Sequence, residues 1–241
     1  MVATDYDSRR KDILRVVIEL YLETAHPVSS ETLLERYNFD CSSATIRNVL
    51  KDLENKGYLT HPHTSAGRVP TDRGYRFYVT ELMERVELSH EEKKTLKQFF
   101  MYHFDRRIDV FESASHILSQ FTHYAGIASH RKSNDVYYCG LSFLLEQPEF
   151  RNLEEIRSIF RTVEEDRLID LMRREMDDAI EVVIGKECNC AEVSNCSLVV
   201  CECKDAHGEL AKIALLGPRR MAYRRVIPMM SYMADLIAGE I

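Results

Sequence analysis

SSATIRNVLKDLENKGYLTHPHTSAGRVP, residues 42–70, divides at Gly57. Before the glycine, Ile46, Val49, Leu50 and Leu53 fall at the i, i+3, i+4, i+7 spacing of a helix with one buried face. Ser42 or Ser43 can cap the free amides of its first turn, and Gly57 suits a left-handed exit. At roughly 100° per residue, Ala44, Asn48, Lys51 and Asn55 turn away from that face, flanked by Arg47. Such a surface matches a major groove: amides and guanidinium forks for base edges, hydroxyls and cations for phosphates. A solvated helix would show the same pattern.

After Gly57 the pattern changes. Tyr58–His61 and Gly67–Val69 read as two short strands, bracketed by Pro62 and Pro70 around the turn-rich His63-Thr64-Ser65-Ala66. Upstream, the spacing predicts a helix over Ser8–Glu23 with Ile13, Leu14, Val17, Ile18 and Tyr21 inward. A short helix, Glu31–Tyr37, follows, capped by Ser29 or Ser30. Helix, short helix, turn, helix and hairpin within about 70 residues make a complete winged helix-turn-helix unit. Thr71-Asp72-Arg73 then opens a further helix that puts Arg73 and Arg76 one turn apart.

The chain of 241 residues is long enough for one large domain or two ordinary ones, and 45% hydrophobic with 29% charged residues indicates a folded core. No apolar run approaches the ~20 residues that span a bilayer. The N-terminal MVATDYDSRRKD lacks a signal-type apolar segment, so no membrane association and a cytoplasmic location are expected. Net charge is −7, yet residues 42–78 hold six cations against three carboxylates, a local +3 on a body of −10. That distribution admits phosphate contact and disfavours tight, sequence-blind binding.

SSATIRN, DLENKGYL and above all PHTSAGRVPTDRGYRFYV resemble the amino-terminal domain of the heat-inducible transcription repressors of the HrcA family, a likeness running from about Tyr6 to Val79. The resemblance implies a repressor acting on an inverted-repeat operator upstream of chaperone genes, usually as a homodimer, with chaperonin helping to keep it active. LLEQPEF at 144–150, IG-E at 184–187, CSLV at 196–199 and LGP-RM-Y at 216–223 resemble the same family's second domain, which is GAF-like. Departures are Cys188 where Asn is usual, and Arg219 and Ala222 where Thr and Asp are usual. Family members also commonly carry about a hundred further residues, including an inserted dimerisation domain, where this chain has only Gly126–Phe143.

The expected fold class is therefore α+β. It comprises a winged helix-turn-helix domain (1–80), a helical linker (81–125) and a GAF-like α+β regulatory domain (126–241), truncated relative to the family. In the linker, Leu96, Phe100, Phe104, Ile108, Phe111, Leu118 and Phe121 form an apolar stripe. It serves either its own domain's core or a dimer seam, the latter extended by Met229, Met230, Tyr232 and Met233. Beyond it, Val136–Leu145 contains a candidate strand and Asn152–Met176 two amphipathic helices. Strands are expected at Ile180–Ile184, Ser197–Cys203 and Leu210–Leu216, then a closing helix from Pro218 to Ile237.

The DNA-binding candidates are Ser43, Thr45, Arg47, Asn48 and Lys51 on the helix, His63, Thr64, Ser65 and Arg68 on the hairpin, and Arg73 beyond it. Arg47 and Asn48 suit base edges, Ser43 and Thr45 phosphates. Cys188, Cys190, Cys196, Cys201 and Cys203 lie within sixteen residues. They read as buried apolar filler or, alternatively, as a metal- or redox-responsive cluster, even a thiol or metal enzyme with an accessory winged helix. No Walker loop, dinucleotide glycine pattern, H-E-x-x-H or G-x-S-x-G occurs, so no catalytic site and no cofactor are expected.

Overall fold

A computed structural model describes residues 2–37, 39, 41–63, 66–104, 109–130, 135–165, 167–204 and 208–239, with backbone alone at 2–6 and 104. These fall into two compact units, Met1–Glu84 and Arg85–Ile241. The first holds α1 (Val2–Thr24), α2 (Ser30–Arg36), α3 (Ser43–Asn55), β1 (Leu59–Thr60), β2 (Val69–Pro70) and α4 (Asp72–Phe77), which runs into a wider π-helical turn at Tyr78–Leu82. Ile13, Leu14, Val17 and Ile18 of α1 are buried with Leu33, with Ile46, Val49, Leu50 and Leu53 of α3, and with Tyr75 and Tyr78. That is the face the 3.6-residue spacing requires. α1 starts earlier than its apolar spacing does.

Antiparallel β1 and β2 pair Leu59 with Pro70 and Thr60 with Val69. A bridge between Val28 and Arg68 adds a third edge to this ladder, tying the α1–α2 connection to the hairpin.

The second unit is built on a five-stranded antiparallel sheet in the order β4-β3-β7-β6-β5. Its strands are β3 (Ala125–His130), β4 (Val136–Cys139), β5 (Ile180–Ile184), β6 (Cys196–Lys204) and β7 (Leu210–Pro218). Its helices are α5 (His90–Phe104), α6 (Val110–Thr122), α7 (Ser142–Glu146), α8 (Leu153–Glu164), α9 (Arg167–Met172) and α10 (Tyr223–Ala238). One sheet face, with Ile127, Leu198, Val200, Ala214 and Leu216, packs against Leu144 of α7, Ile159 of α8 and Leu168, Ile169 and Met172 of α9. α6 and α10 contact strands of the same sheet and each other, and α5 packs on both. Ile213, Leu215 and Val199 alternate with the first set and are equally buried. Covered on both faces, β6 and β7 read as nearly continuous apolar runs, which is why their existence was plain and their facing was not.

Three expectations change. The segment 81–125 is no free-standing linker: α5 and α6 belong to the second unit. Phe100, Phe111 and Leu118 are buried in that unit's own core, as are Met229, Met230 and Met233, so none of them offers a seam for a second copy. Among the described residues, the large apolar side chains exposed on α5 are Phe99, Met101 and Tyr102, at 50%, 45% and 54%. β3 is a strand that the sequence did not mark. Its sequence AGIASH is small and weakly strand-forming, and His123 in left-handed conformation is what ends α6. Ile108 lies outside the described residues.

Candidate nucleic-acid interface

α3 is set by its cap and its apolar stripe. Ser42 Oγ accepts from the Thr45 amide at 3.2 Å and lies 2.9 Å from the Thr45 hydroxyl, so one residue satisfies an orphan donor and holds the neighbouring side chain. At the other end Gly57 takes a φ of 76°, the left-handed exit its position suggests. Between them Ala44, Arg47, Asn48, Lys51 and Asn55 are exposed on one side while Ile46, Val49, Leu50 and Leu53 are buried on the other. Arg47 Nε donates to Ser30 Oγ at 3.4 Å, which aims the guanidinium along the α2–α3 side. Ser43 is half-buried, and the Thr45 hydroxyl is engaged with the cap.

The hairpin candidates separate. Arg68 exchanges backbone hydrogen bonds with Val28, at 2.9 and 2.7 Å. Gly67 beside it approaches so closely that a Cβ there would fall 2.5 Å from the Val28 carbonyl carbon, which accounts for glycine in HTSAGR. The Arg68 guanidinium is half-buried and 3.0 Å from Glu54 at the end of α3, and His61 Nε2 lies 3.1 Å from the other oxygen of Glu54. Arg68 thus binds the hairpin to α3 instead of standing at its tip. His63 is exposed, and Thr64 and Ser65 lie outside the described residues.

Arg73 is held apart from the α3 row. Thr71 Oγ1 caps α4 by accepting from the Gly74 amide at 3.1 Å, and donates to the Gly57 carbonyl at 2.6 Å. A Cβ on Gly74 would sit 2.2 Å from the Tyr58 carbonyl oxygen, so only glycine lets α4 lie against that turn. The result places the Arg73 guanidinium over the Tyr58 ring, 4.8 Å from its centroid. Lys11 of α1, which sequence reasoning passed over, lies 5.8 Å from the Phe77 centroid. The only advance signal was the basic run Arg9-Arg10-Lys11, which periodicity places on a solvated face.

The cysteines do not converge. Cys196 shares the α8–α9 side of the sheet with Cys188 and, at its margin, Cys190; Cys201 and Cys203 alternate to the other side. Burial pushes the Cys196 thiol far up, and burial aided by the Asp235 and Glu202 charges pushes Cys201 up to about 12. Cys190 is raised by burial and by donating to Glu192 at 3.1 Å. Thiols held in the neutral form are poor nucleophiles and poor metal ligands. Among the described residues no three His, Cys, Asp or Glu side chains converge as a metal-ligand set. None of their helices is long and apolar enough to cross a membrane.

The architecture is that of a two-unit α+β protein, a helical unit with a small ladder followed by an antiparallel sheet covered by helices on both faces. A crystal structure of a hypothetical protein shares this fold, with a TM-score of 0.74 at 19% identity over 96% of each chain. Residues 129–227 match the family model described as the HrcA protein C-terminal domain. The heat-inducible transcription repressor HrcA of Desulforudis audaxviator is 28% identical over 328 residues, 94% of this chain and 95% of its own. That of Geobacter sulfurreducens is 26% identical over 335 residues, 98% of each chain. The matched domain and these relatives support an HrcA-type family for this chain. Both alignments are longer than the 241 residues present, so these relatives carry residues with no counterpart here.

Proposed function

We propose that this protein is a transcriptional repressor of heat-shock genes whose first unit is a winged helix that reads operator DNA with α3. The observation that carries the DNA contact is the exposed row Ala44, Arg47, Asn48, Lys51 and Asn55 on a helix whose opposite face is wholly buried. Arg47 and Asn48 supply the bidentate chemistry for guanine and adenine edges, and Lys51 the charge for a phosphate. The hairpin follows on one flank, with His63 at its exposed end, and Arg68 serves as its anchor. The names of the relatives support the repressor role.

The operator is an inverted repeat and the protein binds it as a homodimer, because one unit with a local charge of +3 covers a single half-site. Phe99, Met101 and Tyr102 on α5 are the apolar surface for that pairing. The second unit is a GAF-like regulatory domain, and chaperonin is its candidate partner. Footprinting on the gene's own upstream region and on chaperone promoters tests the reading. Protection of two symmetric half-sites is expected, and uniform protection or none would overturn it.

A further inference from the structure

Behind the reading face, the first unit carries a concave groove of about 620 Å³. α1 supplies Arg10 and Lys11, the end of α3 supplies Asn55 and Lys56, and α4 with the turn before it supplies Arg73, Tyr58 and Phe77. Its charge is unbalanced. Asp52 is shared by Arg10 at 2.9 Å and Lys56 at 3.4 Å, and Asp7 lies 3.1 Å from Arg10. Lys11 and Arg73 have no carboxylate within 4 Å among the described residues and rest on the Phe77 and Tyr58 rings instead. Among the described residues four cations thus face two carboxylates, over a floor of low polarity that strengthens their pull on an anion.

We infer, taking α3 as a DNA reader, that this groove binds the sugar–phosphate backbone flanking the half-site, with Lys11 and Arg73 as its two phosphate contacts. Two features select this ligand. The rings pack at 5.0 Å, tilted by 40°, and each carries a cation, so the cations turn N–H donors toward the groove and take the ring surface that a nucleobase or drug-like aromatic would need. Asn55 belongs both to the outward row of α3 and to the groove wall, which makes the two surfaces continuous. It lies about 10 Å along the helix from Asn48, close to the ~12 Å that separates backbones across a major groove.

The test uses the full chain and the duplex protected in footprinting, with affinity measured across a salt series. Lys11→Ala with Arg73→Ala should lower the salt slope by about two units and leave base preference unchanged. Lys11→Gln alone, an exposed change that leaves the ring packing intact, should lower it by about one. Neutral methylphosphonates at the flanking phosphates should weaken wild-type binding and have no further effect on the double variant. An unchanged slope in Lys11→Gln, or a wild type indifferent to those methylphosphonates, overturns the groove assignment. Lys51→Ala separates this from the parent reading: if it weakens binding while the groove variants do not, only the groove assignment fails. If wild type binds no duplex, both fail.

Discussion

Arg68→Ala distinguishes a residue that holds the hairpin from one that touches DNA. Its guanidinium meets Glu54 through Nη2 alone, at 3.0 Å, and its Nε is buried without a partner. The side chains are 22% and 26% exposed. Fully exposed pairs contribute about 0.2–1 kcal/mol, and partial burial strengthens the attraction while the single contact and the orphaned Nε weaken it. His61, 3.1 Å from Glu54, offers the carboxylate a substitute. The loss should therefore be about 1 kcal/mol, with Glu54→Gln costing a similar amount and the double variant showing about 1 kcal/mol of coupling. Native-state hydrogen exchange at the buried amides of α3 reads this, because it reports opening of the first unit by itself. Parallel DNA titrations should show a salt slope equal to wild type. A slope reduced by about one unit, with α3 protection unchanged, would refute the anchoring role and return Arg68 to the phosphate backbone.

Other perturbations reach further parts of the molecule. Gly74→Ala puts a Cβ 2.2 Å from the Tyr58 carbonyl oxygen, backbone against backbone, so α4 must shift and the first unit should lose about 1–3 kcal/mol by the same exchange measurement. Phe99→Glu with Tyr102→Glu should leave circular dichroism unchanged and yield monomers in sedimentation, because both side chains are half exposed; Phe111→Glu, at 0% exposure, should instead unfold the second unit. Cys196 and Cys201 are raised by burial, so their contribution to stability is intact below the unfolded thiol value near 9 and is lost as pH climbs through the folded values, about 12 for Cys201. Unfolding free energy should fall by about 1.4 kcal/mol per pH unit for each such thiol above pH 9, and alkylation at pH 8 should spare both until urea is added.

Much of the first unit was legible in its residues because its signals are local. Ser42 as cap, Gly57 as exit and the four apolar positions of α3 interact within a few turns of chain, so the outward row with Arg47, Asn48 and Lys51 followed from geometry alone. HTSAGR and TDRGYRF were recognisable as motifs, but their reasons are tertiary: Gly67 makes room for Val28, and Gly74 for Tyr58. Spacing could not tell that Arg68 would meet Glu54, nor that Arg73 and Lys11 would cap one ring pair, since partners from different elements meet only after packing. In the second unit, composition marked β5, β6 and β7 as strands. Only the assembled sheet divided the cysteines between its two faces, turned Phe100 and Phe111 inward, and drew an inner strand, paired on both sides, from AGIASH, whose small side chains carry no pattern until α6 lies across them.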